Sequence, residues 1–249
     1  YFQIAPCVRD EDPRADRHYG VFYQIDMEMS FPTQSQLFSV AENLLRATID
    51  TVNPNKFIKQ TKFAEIPYSK SMELYGTDKP DIRFEMHLQT ITEQVKDKTE
   101  FNIFNSAETV RCIVVPNAGE WSRTEILEVE AFAKEHGAKG LAYTKFTESG
   151  FETGIGKFLK PVESELTAQL NPQTGDLLFF AADNESQANK ILAAVRNHLG
   201  KKLGLYDENE LAFAWITDFP FYELDEKTGK LDFGHNPFSM PKGGMKAFD

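Results

Sequence analysis

The sequence predicts an α+β chain in three blocks. Three observations carry that prediction. An alternating apolar segment, Val21–Phe31, follows a short first strand. Helical spacing begins behind Thr33 and Gln36. Between about residues 105 and 205, strand-like and helix-like runs alternate.

Each element has a local cause. Val21, Tyr23, Ile25, Met27, Met29 and Phe31 fall on one side of an extended chain, and Phe22, Gln24, Asp26, Glu28 and Ser30 on the other. The apolar side is expected to be a core face. Thr33 and Gln36 have capping-box spacing, and Leu37, Phe38, Ala41, Leu44, Leu45 and Ile49 recur at helical intervals. Pro- and Gly-punctuated chain then runs to about residue 100. Val110–Val115 is β-branched and reads as a strand. Ser122 and Glu125 repeat the capping-box spacing ahead of a helix to about His136, ended by Gly137 and Gly140. Leu141–Phe146 and Leu177–Ala182 read as strands, and Glu185–Leu203 as a helix closed by Gly204. A last apolar strand, Leu211–Phe219, leads through a polar turn to Leu231–Phe233 and then His235-Asn236-Pro237-Phe238. The implied organisation is 1–104, 105–205 and 206–249, the middle block able to bury its own core.

Composition narrows the function. The 249 residues are 41% hydrophobic and 26% charged, which supports a packed core. No apolar run is long enough to span a bilayer, and the N-terminus shows no secretory pattern. A membrane partner is not expected. The net charge of −11 argues against a surface that grips DNA non-specifically, and leaves RNA open through a local basic patch. Cys7 and Cys112 are far apart and read as small core residues in a reducing, cytoplasmic setting. The five histidines are scattered and give no zinc spacing. The chain lacks a starting Met and opens on apolar residues, and is expected to be an internal piece of a longer one.

Two segments carry candidate chemistry. The side of the second strand with Phe22, Gln24 and Asp26 is either a solvated polar face or a floor for an adenine ring and an ammonium group. The loop Arg9–His18 is dense in charge. It is either a solvated hairpin tip or a triphosphate grip, arginine being a planar fork of donors for phosphate. Gly150, Gly154, Gly156 and Lys157 do not make a phosphate loop. Phe151 stands where that loop needs Gly, and Phe158 where it needs Ser or Thr, so an ordinary turn is the reading. Trp121 and Trp215 read as packing residues. Lys190, Arg196, Lys201 and Lys202 read as a solvated helix face, with an RNA-backbone contact as the lesser reading.

The run Val8-Arg9-Asp10-Glu11-Asp12, Arg14-Ala15-Asp16-Arg17 and Phe22-Tyr23-Gln24-Ile25-Asp26-Met27-Glu28 resembles motif 2 of class II aminoacyl-tRNA synthetases in their bacterial aspartate-specific form. Tyr75-Gly76-Thr77-Asp78-Lys79-Pro80-Asp81-Ile82-Arg83, Gly137-Ala138-Lys139-Gly140-Leu141-Ala142-Tyr143, and Phe219-Pro220 through His235-Asn236-Pro237-Phe238 agree with it. The resemblance implies a partial class II antiparallel-sheet catalytic core interrupted by a GAD-like α+β insertion. It implies an ATP- and Mg²⁺-dependent ligase that activates L-aspartate to aspartyl-adenylate and transfers it to tRNA(Asp), with tRNA(Asn) left open. The family is homodimeric.

By resemblance Arg9 is catalytic and contacts the α-phosphate and the aspartate carboxylate. Asp10, Glu11, Arg17, His18 and Phe22 join it around ATP, and Gln24, Asp26 and His235 join it around aspartate. No metal ligand is assigned. Asn236 stands where many members carry a second His. Motif 1, motif 3 and the anticodon-binding domain have no counterpart here, so this piece is not expected to complete the reaction alone. Two rival readings are a paralogue that forms an adenylate without charging tRNA and a non-catalytic tRNA- or partner-binding module. A complete motif 2 weighs against a subunit that carries only the GAD-like domain.

Overall fold

The structure is a computed structural model that describes residues 1–9, 20–224 and 228–234. The chain divides into two compact units, Tyr1–Pro54 and Asn55–Asp249.

The first unit holds β1 (Phe2–Val8), β2 (Val21–Met27) and α1 (Gln34–Val52). β1 and β2 pair antiparallel, with Cys7 opposite Phe22, Ala5 opposite Gln24 and Gln3 opposite Asp26. Both halves of the expected capping box form. Gln36 N–H donates to Thr33 Oγ1 at 3.3 Å, and Thr33 N–H to Gln36 Oε1 at 2.9 Å. The expected core face of β2 is not a core. Val21, Tyr23 and Ile25 are exposed, as are Phe2, Ile4 and Val8 beside them. A two-stranded ribbon buries a face only against another layer, and none of the described residues of this unit covers it. Met29 and Phe31 fall beyond the strand, and Phe31 has φ 50°.

The second unit begins with β3 (Ala64–Pro67), α2 (Tyr68–Tyr75), β4 (Gln89–Thr90), α3 (Thr92–Val95) and α4 (Asn102–Ser106). It continues with β5 (Thr109–Val115), α5 (Arg123–Glu135), β6 (Ala142–Thr147), β7 (Gly150–Glu152), α6 (Gly156–Leu159) and α7 (Glu163–Leu170). It ends with β8 (Leu177–Asp183), α8 (Glu185–Lys202), β9 (Ala214–Thr217), β10 (Tyr222–Leu224) and β11 (Leu231–Phe233). Five strands form one antiparallel sheet in the order β4-β5-β8-β6-β7.

Both faces of that sheet are covered, which explains why Leu177–Ala182 is apolar without alternation. Leu177, Phe179 and Ala181 join the core under α5 and α8 with Val129, Ile191 and Val195. Leu178 and Phe180 join the opposite core with Phe104, Leu159 and Leu166. The strand expected at Leu211–Phe219 is shorter than that run. β9 pairs in parallel with β3, from Ala64 opposite Ala214 to Pro67 opposite Thr217. That long-range pairing has no local signature.

Of the two cysteines expected in the core, Cys112 is fully buried, and burial pushes its thiol pKa well up. Cys7 is only half-buried, its Sγ 3.5 Å from Gln24 Oε1. Cys7 lies on the polar face of a ribbon rather than in a core.

Candidate functional site

Antiparallel register places directly opposite residues on one side of the ribbon. Gln3, Ala5 and Cys7 therefore share a face with Asp26, Gln24 and Phe22. Contacts bear this out. Gln3 Nε2 donates to Asp26 Oδ2 at 2.9 Å, and Cys7 Sγ lies against Gln24. Arg9 follows the last residue of β1, and its guanidinium carbon sits 5.4 Å from the centroid of the Phe22 ring. A guanidinium over a ring face is held there by the ring quadrupole. The sequence-derived residues Arg9, Phe22, Gln24 and Asp26 thus meet on a single face. Phe22 and Asp26 are half-buried, and Arg9 and Gln24 exposed.

Such a face offers a fork of phosphate donors, a flat apolar plate and a carboxylate, in order along the ribbon. Gln3, which the sequence reading did not single out, orients that carboxylate. Its signal was the alternation Gln3, Ala5, Cys7, Arg9 in β1. Asp10, Glu11, Arg17, His18 and His235 lie outside the described residues.

In the second unit, Gly234 lines a cleft of about 610 Å³ with Tyr68, Thr77, Lys79, Asn189 and Phe219. Tyr68 packs against Phe219, with ring centroids 5.0 Å apart and planes tilted by 43°. Burial raises the Tyr68 pKa, with Asp78, Glu223 and Glu185 adding to it, so its hydroxyl stays protonated.

Two buried arginines lie near this cleft, Arg111 bonding Met72 and Asn189 of its lining and Arg196 clamping the segment 81–86. Arg196, expected on a solvated face of α8, is only 1% exposed. Its Nε donates to the Met86 carbonyl at 3.1 Å, and its terminal nitrogens to those of Asp81 at 2.9 Å and of Phe84 and Glu85 at 2.7 Å. Burial lowers its pKa to about 10, which still leaves it charged at neutral pH. Arg111 reaches from β5 to the carbonyls of Met72 and Glu73 at the end of α2 and to Asn189 Oδ1. Helix periodicity alone cannot tell such a clamp from a surface cation. Of the other α8 cations, Lys202 pairs with Glu128 at 3.3 Å, while Lys190 and Lys201 are exposed.

The Gly150–Lys157 stretch is a packing turn, in line with the sequence reading. Gly154 has φ 49°, and a Cβ there would overlap the Tyr143 carbonyl. One on Gly156 would come 2.8 Å from the Phe151 carbonyl. Among the described residues, no three His, Cys, Asp or Glu side chains gather to hold a metal ion, and no helix is long and apolar enough to cross a membrane.

Comparison with known proteins identifies the lineage. Residues 1–248 match the model for tRNA synthetases class II (D, K and N). Aspartate–tRNA(Asp/Asn) ligase from Rickettsia felis is 45% identical over 255 residues, and that from Rickettsia prowazekii 46%. Each alignment covers 100% of this chain and 42% of the relative, so the chain spans under half the length of the curated relatives it matches. With the match running from end to end and the relatives this similar, the chain belongs to the class II tRNA synthetase family that handles aspartate, lysine and asparagine.

Proposed function

We propose that the chain is part of an aspartate–tRNA ligase that activates L-aspartate with ATP and passes the aspartyl group to tRNA(Asp) and tRNA(Asn). One observation carries the reading. Arg9, Phe22, Gln24 and Asp26 share a face in a chain whose whole length aligns with ligases of that name. The ring of Phe22 takes the adenine, Arg9 the α-phosphate and the aspartate carboxylate, Asp26 the α-ammonium, and Gln24 the pocket wall. Asp10, Glu11, Arg17 and His18 belong to the ATP grip and His235 to the aspartate side chain.

Attack by the aspartate carboxylate builds negative charge on the α-phosphoryl oxygens. A fixed guanidinium offsets that charge without reorganising, an effect of about 3 kcal/mol for one well-placed donor. Mg²⁺ fits this face only as an ion that arrives on the ATP phosphates and takes one or two carboxylates. When bound it would neutralise phosphate charge.

Residues 105–205 read as the GAD-like insertion between catalytic segments 1–104 and 206–249. A sheet covered on both faces supports an insertion in that region, although its two cores also draw on residues 84–104. The working enzyme is read as a cytoplasmic homodimer, and the 249-residue piece alone as incomplete.

The test is aspartate-dependent ATP–pyrophosphate exchange by the complete enzyme. Arg9→Ala is expected to lower kcat at least ~100-fold with unchanged thermal unfolding. Exchange within about threefold of wild type, well inside the effect expected of an oriented cation, would remove Arg9 from the chemistry.

A further inference from the structure

The carboxylate read as the ammonium partner has a companion on β1 to which the proposed function gives no role. Gln3 stands directly opposite Asp26 in the β1–β2 register. Two residues along the ribbon, Glu28 N–H donates to the Tyr1 carbonyl at 2.9 Å. Hydrogen-bonded pairs of an antiparallel ladder recur at every second residue, so main-chain bonding fixes Gln3 against Asp26. Between the side chains, Gln3 Nε2 donates to Asp26 Oδ2 at 2.9 Å. The other end of the amide is held as well, the Tyr1 hydroxyl donating to Gln3 Oε1 at 3.1 Å. A carboxylate has only acceptors to offer, so the amide must turn its N–H toward it, and the tyrosine donor favours that same orientation.

The neutrality of this partner sets it apart from an ordinary cross-strand contact. Among the described residues no Lys or Arg side chain pairs with Asp26. An amide donor orients the carboxylate without cancelling its charge, whereas a cation at position 3 would cancel it. Asp26 is half-buried, so its charge is screened less than that of a fully exposed carboxylate. With Oδ2 engaged by Gln3, Oδ1 is the oxygen left to an incoming N⁺–H donor, and charge-assisted bonds of that kind are the strong ones. Position along the face localises the effect. Phe22 and Asp26 are four residues apart on β2, roughly 13 Å of extended chain, so a change at Gln3 acts at the ammonium end and not at the adenine end.

We propose that Gln3 is a positioning residue for recognition of the amino-acid substrate: it aims Asp26 at the α-ammonium of aspartate and, being neutral, leaves the carboxylate its charge. This role rests on the reading of Asp26 as the ammonium partner.

Aspartate-dependent ATP–pyrophosphate exchange by the complete enzyme is the test. Gln3→Met keeps the length of the side chain and withdraws the donor. The KM for aspartate is expected to rise about ten-fold, the lower-end worth of a hydrogen bond to a charged group, while the KM for ATP stays within about twofold. Gln3→Lys keeps a donor and makes an opposite-charge pair across the ribbon, which a merely structural contact would tolerate or gain from. It should nevertheless raise the aspartate KM at least as far as Gln3→Met, because the lysine neutralises Asp26 and repels the ammonium. It also serves as the second variant if Gln3→Met unfolds. Asp26→Asn keeps the two readings apart. If it impairs use of aspartate and the Gln3 variants do not, Gln3 loses its role and the ligase site stands. If Asp26→Asn leaves the aspartate KM unchanged, the site assignment falls and the role of Gln3 with it. An aspartate KM within about twofold of wild type in either Gln3 variant, well below the worth of such a bond, or an equal rise in the KM for ATP, would overturn the proposal.

Discussion

Replacing Arg196 by Met keeps much of the side-chain volume but withdraws every donor. Four carbonyls, those of Asp81, Phe84, Glu85 and Met86, lose their partner, and the guanidinium over the Phe84 ring at 4.0 Å is lost as well. A buried acceptor left unpaired costs about 1–3 kcal/mol, and removing one side of a buried charged network about 3–5 kcal/mol. The carbonyls lie on one short segment that can shift together, so their costs do not simply add. The expected loss is therefore about 3–5 kcal/mol, or roughly 6–20 °C in Tm for a unit of this size. Arg196→Lys should fall between, because an ammonium cannot serve a fork of four acceptors. Both tryptophans of the chain, Trp121 and Trp215, lie in the second unit. Urea unfolding followed by their fluorescence therefore reads that unit alone. A loss below about 1 kcal/mol for Arg196→Met, the worth of a single ordinary hydrogen bond, would refute the clamp.

Other predictions follow from the same geometry. Burial would raise the Asp81 pKa, but hydrogen bonds and charge from Arg83, 2.6 Å away, hold it below the usual carboxylate range. Its stabilising contribution is present above pH ~4 and is lost as pH falls through the lowered value. Acid titration of Asp81→Asn should show a shallower decline than wild type, and identical curves would remove the pair from the account. Burial, joined by Lys202, likewise lowers the His198 pKa where its ring stacks on Phe132 at 4.2 Å. Stability should fall as pH drops below ~6.5, because the unfolded state takes up a proton first; His198→Gln should flatten that segment of the pH–stability curve. Gly154→Ala should cost at least ~1–3 kcal/mol, from a strained φ and overlap with the Tyr143 carbonyl. Lys157→Ala should leave ATP affinity unchanged in calorimetric titration of the complete enzyme. A large drop there would revive the phosphate-loop reading.

Much of the architecture was legible because its causes are local. Thr33 with Gln36 and Ser122 with Glu125 start helices through contacts three residues apart, and the structure contains both capping boxes in full. The alternation of β2 placed Phe22, Gln24 and Asp26 on one face before any partner strand was known. Arg9 joined them because it ends a strand whose register is set by the same hairpin. What the linear pattern could not supply was the identity of each neighbour. Arg196 and Lys202 are cations of the same helix, yet one is sealed under the carbonyls of residues 81–86 and the other pairs at the surface.

By itself the sequence determined the helix starts, the glycine turns, the strand alternation and the family likeness, since each depends on side chains a few residues apart or on motif spelling. Tertiary structure alone decided that β3 runs parallel to β9 and that Arg111 and Arg196 are interior clamps. Those outcomes depend on which distant segment arrives to satisfy a main-chain group or a buried charge, and chain periodicity carries no record of that arrival.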